Sequence, residues 1–330
     1  MRISLYDEAL NKIDDLSSQF VSCLWNEEYN GVGAFALEVR ATKKNKSTIR
    51  SDLYVKRQDR DTLMVIKSVQ MEQGIIIATG CMAMRVLDDV AFIGTISAGT
   101  PIVTAVKNAY NNSNGFPAVV IVDSDLTDTY DEEISHKSIL ELCEIMGLSK
   151  DVGFKSVKNG SSIEIQAYKP PLNESARFSE IFGNIGNVSL ILSTEDYKNY
   201  AKVLGKGEGE ARVLVDVDLT NGAVRRELIV DARDIQQEEN ETATQYQARL
   251  KARGYEALLE QIESWECSFV PSAQSFGKKF DLGDLAVIVL PSYGLKFQTR
   301  ITSFEEKEQN NQTELSISVG SLQMISSRKR

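Results

Sequence analysis

Residues 20–40 of the chain read FVSCLWNEEYNGVGAFALEVR, and this stretch indicates which kind of fold the sequence favours. In its second half the apolar residues Phe35, Leu37 and Val39 occupy every other position, which is the period of a strand with one buried face. The Asn-Gly pair at 30–31 supplies the positive φ angles that a tight turn between two strands requires. The stretch therefore predicts a β-hairpin near the amino terminus.

Up to about Gly99 the apolar residues have the spacing of strands. From there to Pro171 helical and strand spacings both occur, and after Pro171 the spacing of strands returns. Between these points Thr100 and Pro101 suit the start of a helix, and a second helix and a hairpin follow. We therefore predict an α+β fold class that is mainly β, with two β-barrel-like domains and an inserted α+β module. The predicted boundaries are 1–98 for the first β-barrel-like domain, 99–175 for the inserted module, and 176–330 for the second β-rich domain, with a peripheral helix at about 245–262.

Two glycine-containing stretches in the second half of the chain predict turns. Glycines at 205, 207 and 209 fit neither the dinucleotide-binding spacing nor a P-loop. A phosphate-binding loop opens a helix, whereas the residues that follow here, 211–217, have the pattern of a strand. The Asn-Gly pair at 221–222 predicts a further hairpin, between strands at 212–217 and 226–230.

Composition and charge narrow the class of protein. The 330 residues include 37 Lys or Arg and 47 Asp or Glu, which gives a formal net charge of −10. This balance disfavours binding to nucleic acid or to anionic lipid, since both require basic residues. No apolar run approaches the ~20 residues that cross a bilayer, and the amino terminus turns acidic where a signal peptide would be apolar. We expect a chain that is made in the cytoplasm, without an export signal or membrane insertion.

Histidine and cysteine are scarce in this chain, and their positions do not indicate an active site. His136 is the only histidine, and Ser135 before it is a plausible helix N-cap, which would place His136 in an exposed first turn. The cysteines form no CxxC pair and stand among apolar neighbours, so they are predicted to be buried free thiols; they are Cys23, Cys81, Cys143 and Cys267. We therefore assign no catalytic, cofactor-binding or metal-binding residue and expect no cofactor.

Two groups of acidic residues could form a functional site, a calcium-binding loop in one case and a glycosidase pair in the other. The segment 123–133 begins like a calcium loop, but Asp128 holds the glycine position and Ile134 the position of the bidentate glutamate. It is interpreted as a solvated loop. The pairs Asp216/Asp218 and Asp231/Asp234 have the chemistry of a glycosidase. Because Asp216 and Asp218 alternate with valines, they are interpreted as the polar face of a strand.

The chain resembles a known family in several segments. Residues 5–15, LYDEALNKIDD, followed by 22–39, SCLWNEEYNGVGAFALEV, are similar to the start of siphophage tail-tip baseplate hub proteins. The end of the chain agrees through DLGDLAVIV at 281–289 and GLKFQTRITSFEE at 294–306. One departure is Asn26-Glu27-Glu28, where the family has basic residues after the tryptophan. This family is related to the hub ring of contractile-tail baseplates and to the amino-terminal hub of tail-associated lysins.

The resemblance implies a structural protein and not an enzyme. Such a hub would cap the tail tube, anchor the host-recognition components and lie at the virion tail tip after synthesis in the host cytoplasm. It would form a homotrimer that contacts the distal tail protein and other tail-tip proteins. Phage DNA or the tape-measure protein would pass through its channel. Because the sequence ends at Arg330, we expect no peptidoglycan-cleaving domain of the kind that the lysin relatives carry.

Two other functions remain as alternatives at this point. A carbohydrate-binding receptor protein of the tail would use exposed aromatic side chains, and the aromatic content of 8% does not discriminate. A cell-wall hydrolase would use one of the carboxylate pairs described above.

Overall fold

The structure is a computed structural model that describes residues 1–17, 20–193, 195–238, 241–261, 264–271, 276–310 and 312–327. Strands account for 48% of the structure and helices for 19%, which confirms the mainly β fold class. None of the sheets within these ranges closes on itself. The barrel character and the three domain boundaries therefore stay predictions. The three terminal residues 328–330 lie outside the described residues.

A first antiparallel arm is formed by the amino-terminal part of the chain. Its neighbouring strands run in the spatial order β3-β4-β7-β6-β5-β1-β2. The predicted hairpin is confirmed as β3 and β4, which pair antiparallel. The positive φ angles predicted at Asn30-Gly31 are wrong, because the residue with a positive φ in this connection is Gly33, at 51°. A short helix, α1 (Lys43–Thr48), lies between β4 and β5, and a 3₁₀ helix at Ala83–Asp89 follows β7. The strands are β1 (Ile3–Tyr6), β2 (Lys12–Asp15), β3 (Phe20–Glu28), β4 (Ala34–Arg40), β5 (Tyr54–Arg57), β6 (Leu63–Glu72) and β7 (Ile75–Met82).

A second arm comes from the second half of the chain and continues the same sheet. Its strands are β13 (Leu172–Ser179), β14 (Ile185–Ser193), β18 (Ser264–Pro271), β19 (Leu285–Leu290), β20 (Leu295–Gln309) and β21 (Gln312–Ser327). The long strand β20 pairs with β3 along its second half, so the two arms form one hydrogen-bonded sheet. On one side of β20 lies the branch β21-β18-β14, and on the other side β19, followed by β13, pairs with the first half of β20 in line with β3.

The middle of the chain forms the α+β layer that the change of periodicity predicts. It comprises β8 (Ala91–Ile96), α2 (Ile102–Asn111), β9 (Val119–Ile121), β10 (Ile134–Ser138), α3 (Ile139–Lys150), β11 (Gly153–Asn159) and β12 (Ser162–Tyr168). Strand β8 pairs with β10, and β11 and β12 form the predicted hairpin. Helix α3 begins with a capping box in which the Ser138 hydroxyl and the Glu141 carboxylate satisfy each other's backbone amides.

A small module is inserted in the connection between the antiparallel partners β14 and β18. It contains β15 (Tyr200–Leu204), β16 (Leu214–Asp218), β17 (Glu227–Asp231) and α4 (Ala243–Leu259). The peripheral helix predicted at about 245–262 is α4, which begins two residues earlier and ends three residues before the predicted end; Ile262 lies outside the described residues. Gly254 lets α4 pack closely on the sheet, because a Cβ there would lie 2.5 Å from Val203 and 2.7 Å from Val217.

The hairpin predicted at Asn221-Gly222 is wrong. Both residues have positive φ angles, 46° and 87°, and they do form a turn. However, β16 and β17 do not pair with each other: β15 lies between them, antiparallel to β16 and parallel to β17. The loop from 219 to 226 is long enough to cross β15, so turn chemistry alone does not determine which strands become neighbours.

The core of the inserted module yields a stability prediction. Leu250 on α4 is fully buried among the valines of β15 to β17, whereas Leu214 on β16 is half exposed. We expect Leu250→Ala to lower the free energy of unfolding by about 2–5 kcal/mol, because it leaves a cavity in a closed core. Leu214→Ala is the matched control and should change it by no more than about 0.5 kcal/mol. Urea unfolding followed by circular dichroism measures both; equal effects would contradict this packing.

Candidate functional site

His136 lies in a strand and not in a helix. The helix starts at Ile139 with Ser138 as N-cap, so the prediction that Ser135 caps it is wrong. The reason is the capping box, which only Ser138 can form with Glu141. His136 itself is exposed, as expected, and has a left-handed backbone with φ of 53° at an irregularity in β10.

The four cysteines are free thiols, and all except the half-buried Cys81 are buried. Burial raises the pKa of every one of them, to about 12 for Cys23 and about 11 for Cys267. Such thiols are protonated at neutral pH and are weak nucleophiles and metal ligands. Within the described part of the chain, no three His, Cys, Asp or Glu side chains are grouped closely enough to hold a metal ion.

The acidic segment 123–133 is tied down by lysines from outside it. The ion pairs Asp123–Lys107, Asp128–Lys169 and Asp131–Lys150 join its carboxylates to neighbouring elements, with N–O distances of 2.5–2.6 Å. These ion pairs therefore connect the loop to α2, to the end of α3 and to the residue that follows β12.

The two aspartate pairs belong to the inserted module. Asp216 and Asp218 are exposed on β16 while Val217 between them is buried, which confirms that they form the polar face of a strand. Asp231 binds the guanidinium groups of Arg212 and Arg233 at 2.7 and 2.6 Å. These contacts hold the pKa of Asp231 well below its ordinary value, so it is a poor proton donor.

The most buried charged cluster lies where the two arms of the sheet meet. Glu27 on β3 is only 1% exposed. Its carboxylate accepts hydrogen bonds from the Trp25 indole at 2.8 Å and from the Thr62 hydroxyl at 2.8 Å. The Arg60 guanidinium donates to the same carboxylate at 3.2 and 2.9 Å, and also donates to Asp281 at 2.6 Å.

This cluster connects the two arms through side chains as well as through the sheet. Arg60 belongs to the first arm, and its guanidinium lies over the rings of Phe276 and Phe304 in the second, 5.3 and 4.7 Å from their centroids. Burial alone would raise the pKa of Glu27. The Arg60 charge and the hydrogen bonds outweigh burial, so the pKa lies below its ordinary value and Glu27 is ionised at neutral pH.

A second buried arginine attaches the middle layer to the sheet. Arg300 on β20 is 5% exposed, and its Nε contacts the Asp151 carboxylate at 2.7–2.8 Å. Its Nη1 donates to the Pro170 carbonyl at 2.8 Å, and its guanidinium lies 5.1 Å from the centre of the Tyr29 ring. The Tyr29 hydroxyl lies 3.0 Å from the Asp151 carbonyl oxygen and 2.9 Å from that of Tyr168, so its one hydrogen is shared between two acceptors. Residues from three parts of the chain meet at this point.

The Glu27–Arg60 pair was not predicted from the sequence, although Glu27 itself gave a signal. Glu27 lies two positions after Trp25 and therefore on the same, inward face of β3. A carboxylate on a buried face requires a cationic partner, but the sequence did not indicate which arginine it would be.

Comparison with solved structures shows that this fold occurs in prophage tail proteins. A 43 kDa tail protein of prophage MuSo2 from Shewanella oneidensis has a TM-score of 0.59 at 13% identity, covering 97% of this chain and 98% of that one. The tail protein from Neisseria meningitidis MC58 gives 0.57 at 10% identity, with coverage of 97% and 96%. Prophage tail protein gp18 from Listeria monocytogenes EGD-e gives 0.56 at 14% identity, with coverage of 99% and 96%.

The chain thus has the fold of phage tail proteins. It belongs to the family described as Siphovirus ReqiPepy6 Gp37-like protein, which matches residues 2–321. A comparison with curated proteins finds no match. Across the described residues, no helix combines the length and the apolarity that a bilayer crossing requires.

The buried pair yields a prediction about stability and pH. Glu27→Gln should lower the free energy of unfolding by about 3–5 kcal/mol, because it leaves the Arg60 charge without its buried partner. The matched control Glu8→Gln removes the exposed pair with Arg50 and should cost no more than about 1 kcal/mol. Guanidinium chloride unfolding at neutral pH measures both.

The pH dependence of the unfolding free energy tests whether the pKa of Glu27 is lowered or raised in the folded protein. Because the folded-state pKa of Glu27 is lowered, its contribution is complete above the unfolded carboxyl pKa of about 4.3 and is lost as pH falls through the folded value. The stability difference between the wild type and Glu27→Gln should therefore be constant from pH 7 to 5 and shrink in acid. A difference that grows in acid would contradict the assignment.

Proposed function

We propose that this protein is a structural hub of the phage or prophage tail tip, which caps the tail tube and anchors the host-recognition components. The observation that carries the proposal is the extent of the fold match. The three tail proteins described above share the fold over 97–99% of this chain and 96–98% of their own. The side-chain contacts also agree with a structural role. The buried charged residues join separate parts of the fold, and the carboxylates of the two aspartate pairs are exposed or bound to arginine.

We further propose that the working form is a homotrimer around a channel. Each subunit has two β arms that share one sheet, so three subunits present six arms, which matches a sixfold tail tube. The partners would be the distal tail protein and other tail-tip proteins. Phage DNA or the tape-measure protein would pass through the channel, and carboxylates lining it would repel the DNA phosphates.

The location and copy number test this function in the assembled particle. Purified tails should contain this chain at three copies per tail, counted by quantitative mass spectrometry against a tail protein of known copy number. A cryo-electron microscopy map should place it at the end distal to the capsid. Absence from purified tails, or many copies along the tube, would overturn the proposal.

A further inference from the structure

Strand β14 is an unprotected edge of the large sheet. It is the last strand of its branch and pairs only with β18 on its inner side. Its nine residues, IGNVSLILS, contain no charged side chain, although 25% of the chain is charged. Ile191, two residues before its end, is 50% exposed. The bulge at Gly186–Ser189 leaves the backbone of 189–193 regular, so five residues can accept another strand.

Other edges of the described sheets are blocked. Strand β2 is four residues long and charged, and its Lys12 forms an ion pair with Asp15. On β13 the Asn184 side chain binds the Ser179 amide and the Arg177 carbonyl, which occupies the edge backbone. Strands β16, β17, β10 and β11 carry charged side chains, and β9 has only three residues. Short edges, charges and capped backbone groups are the means by which proteins prevent edge-to-edge association.

Strand β8 is the second long edge without charge. Its six residues, AFIGTI, pair with β10 on one side, with a register irregularity between Phe92 and Thr95 that places Ile93 and Gly94 opposite one residue of β10. Ile93 at its centre is 79% exposed, although it is a large apolar side chain. The described sheets therefore have two neutral edges of five residues or more, one in the second arm and one in the middle layer.

We propose that β14 of one subunit pairs with β8 of the next, so that copies of this chain join head to tail. The inference deepens and rests on the proposed homotrimer. Two copies carry a net charge of −10 each and repel one another, so a contact between them is favoured where both surfaces are neutral. A contact between two different edges is heterologous and can close into a ring. Pairing β14 with a second β14 would instead give a twofold dimer.

Cysteine cross-linking tests the pairing directly. Ile93→Cys and Ile191→Cys are made singly and together, and each protein is treated with a short bismaleimide that tolerates a shift of register. The wild type is the control for the native thiols, which are buried or half-buried. Val224→Cys combined with Ile191→Cys is the matched control, because Val224 is equally exposed at 82% but lies in a loop of the inserted module.

Head-to-tail pairing predicts covalent dimers and trimers in the Ile93→Cys/Ile191→Cys protein, at least tenfold above each single variant and the Val224→Cys control. Native mass spectrometry gives the oligomeric state without cross-linking. A trimer that cross-links no better than the controls overturns the pairing and leaves the proposed trimer standing. Dimers from either single variant show twofold pairing and overturn the proposal. A monomer that does not cross-link overturns both the pairing and the trimer of the purified protein.

Discussion

The pairing of β3 with β20 is the constraint on which the rest of the structure depends. It brings residues 22–28 against residues 303–309, near the two ends of the chain, and turns two antiparallel arms into one sheet. Such distant pairing is slow to form, because the connecting loop loses entropy before the contacts are made. The Glu27–Arg60 pair is buried at this seam, with Asp281 on its exposed side. A buried pair of this kind is costly to leave unmatched and so favours one register of the two arms.

The middle layer and the inserted module depend on that sheet in different ways. Arg300 and Tyr29, on β20 and just after β3, hold the middle layer through Asp151 and two backbone carbonyls. The inserted module has its own apolar core and enters and leaves through Ser193 and Ser264, which are paired neighbours in β14 and β18. Its main side-chain contacts with the middle layer are the Lys137–Glu256 ion pair and the packing of Tyr255 on Tyr130. This organisation leaves β14 and β8 at the surface as places where a second chain can add.

Local patterns in the sequence predicted where strands lie more accurately than they predicted which strands pair with one another. Alternating apolar residues after Asn30-Gly31 predicted a hairpin correctly, because there the connection joins strands that are neighbours in space. At Asn221-Gly222 the same signal failed, since β15 takes the position between the two strands. Glu27 could be recognised as unusual on an apolar face, but its partner Arg60 is brought close by the tertiary fold alone. The change of periodicity at Gly99 and Pro171 predicted the fold class because it reflects many segments at once, whereas free edges can be identified only when the sheet order is known.

Native-state hydrogen exchange tests most directly whether the two arms form one cooperative unit around the seam. The measurement compares the free energy of opening for the slowest amides in β4 and β7 of the first arm with those in β19 and β20 of the second. One cooperative unit predicts that both groups exchange only through global unfolding, with equal free energies and the same dependence on denaturant. If the second arm exchanges at a clearly lower free energy while the first stays protected, the seam does not couple the arms and the account is contradicted.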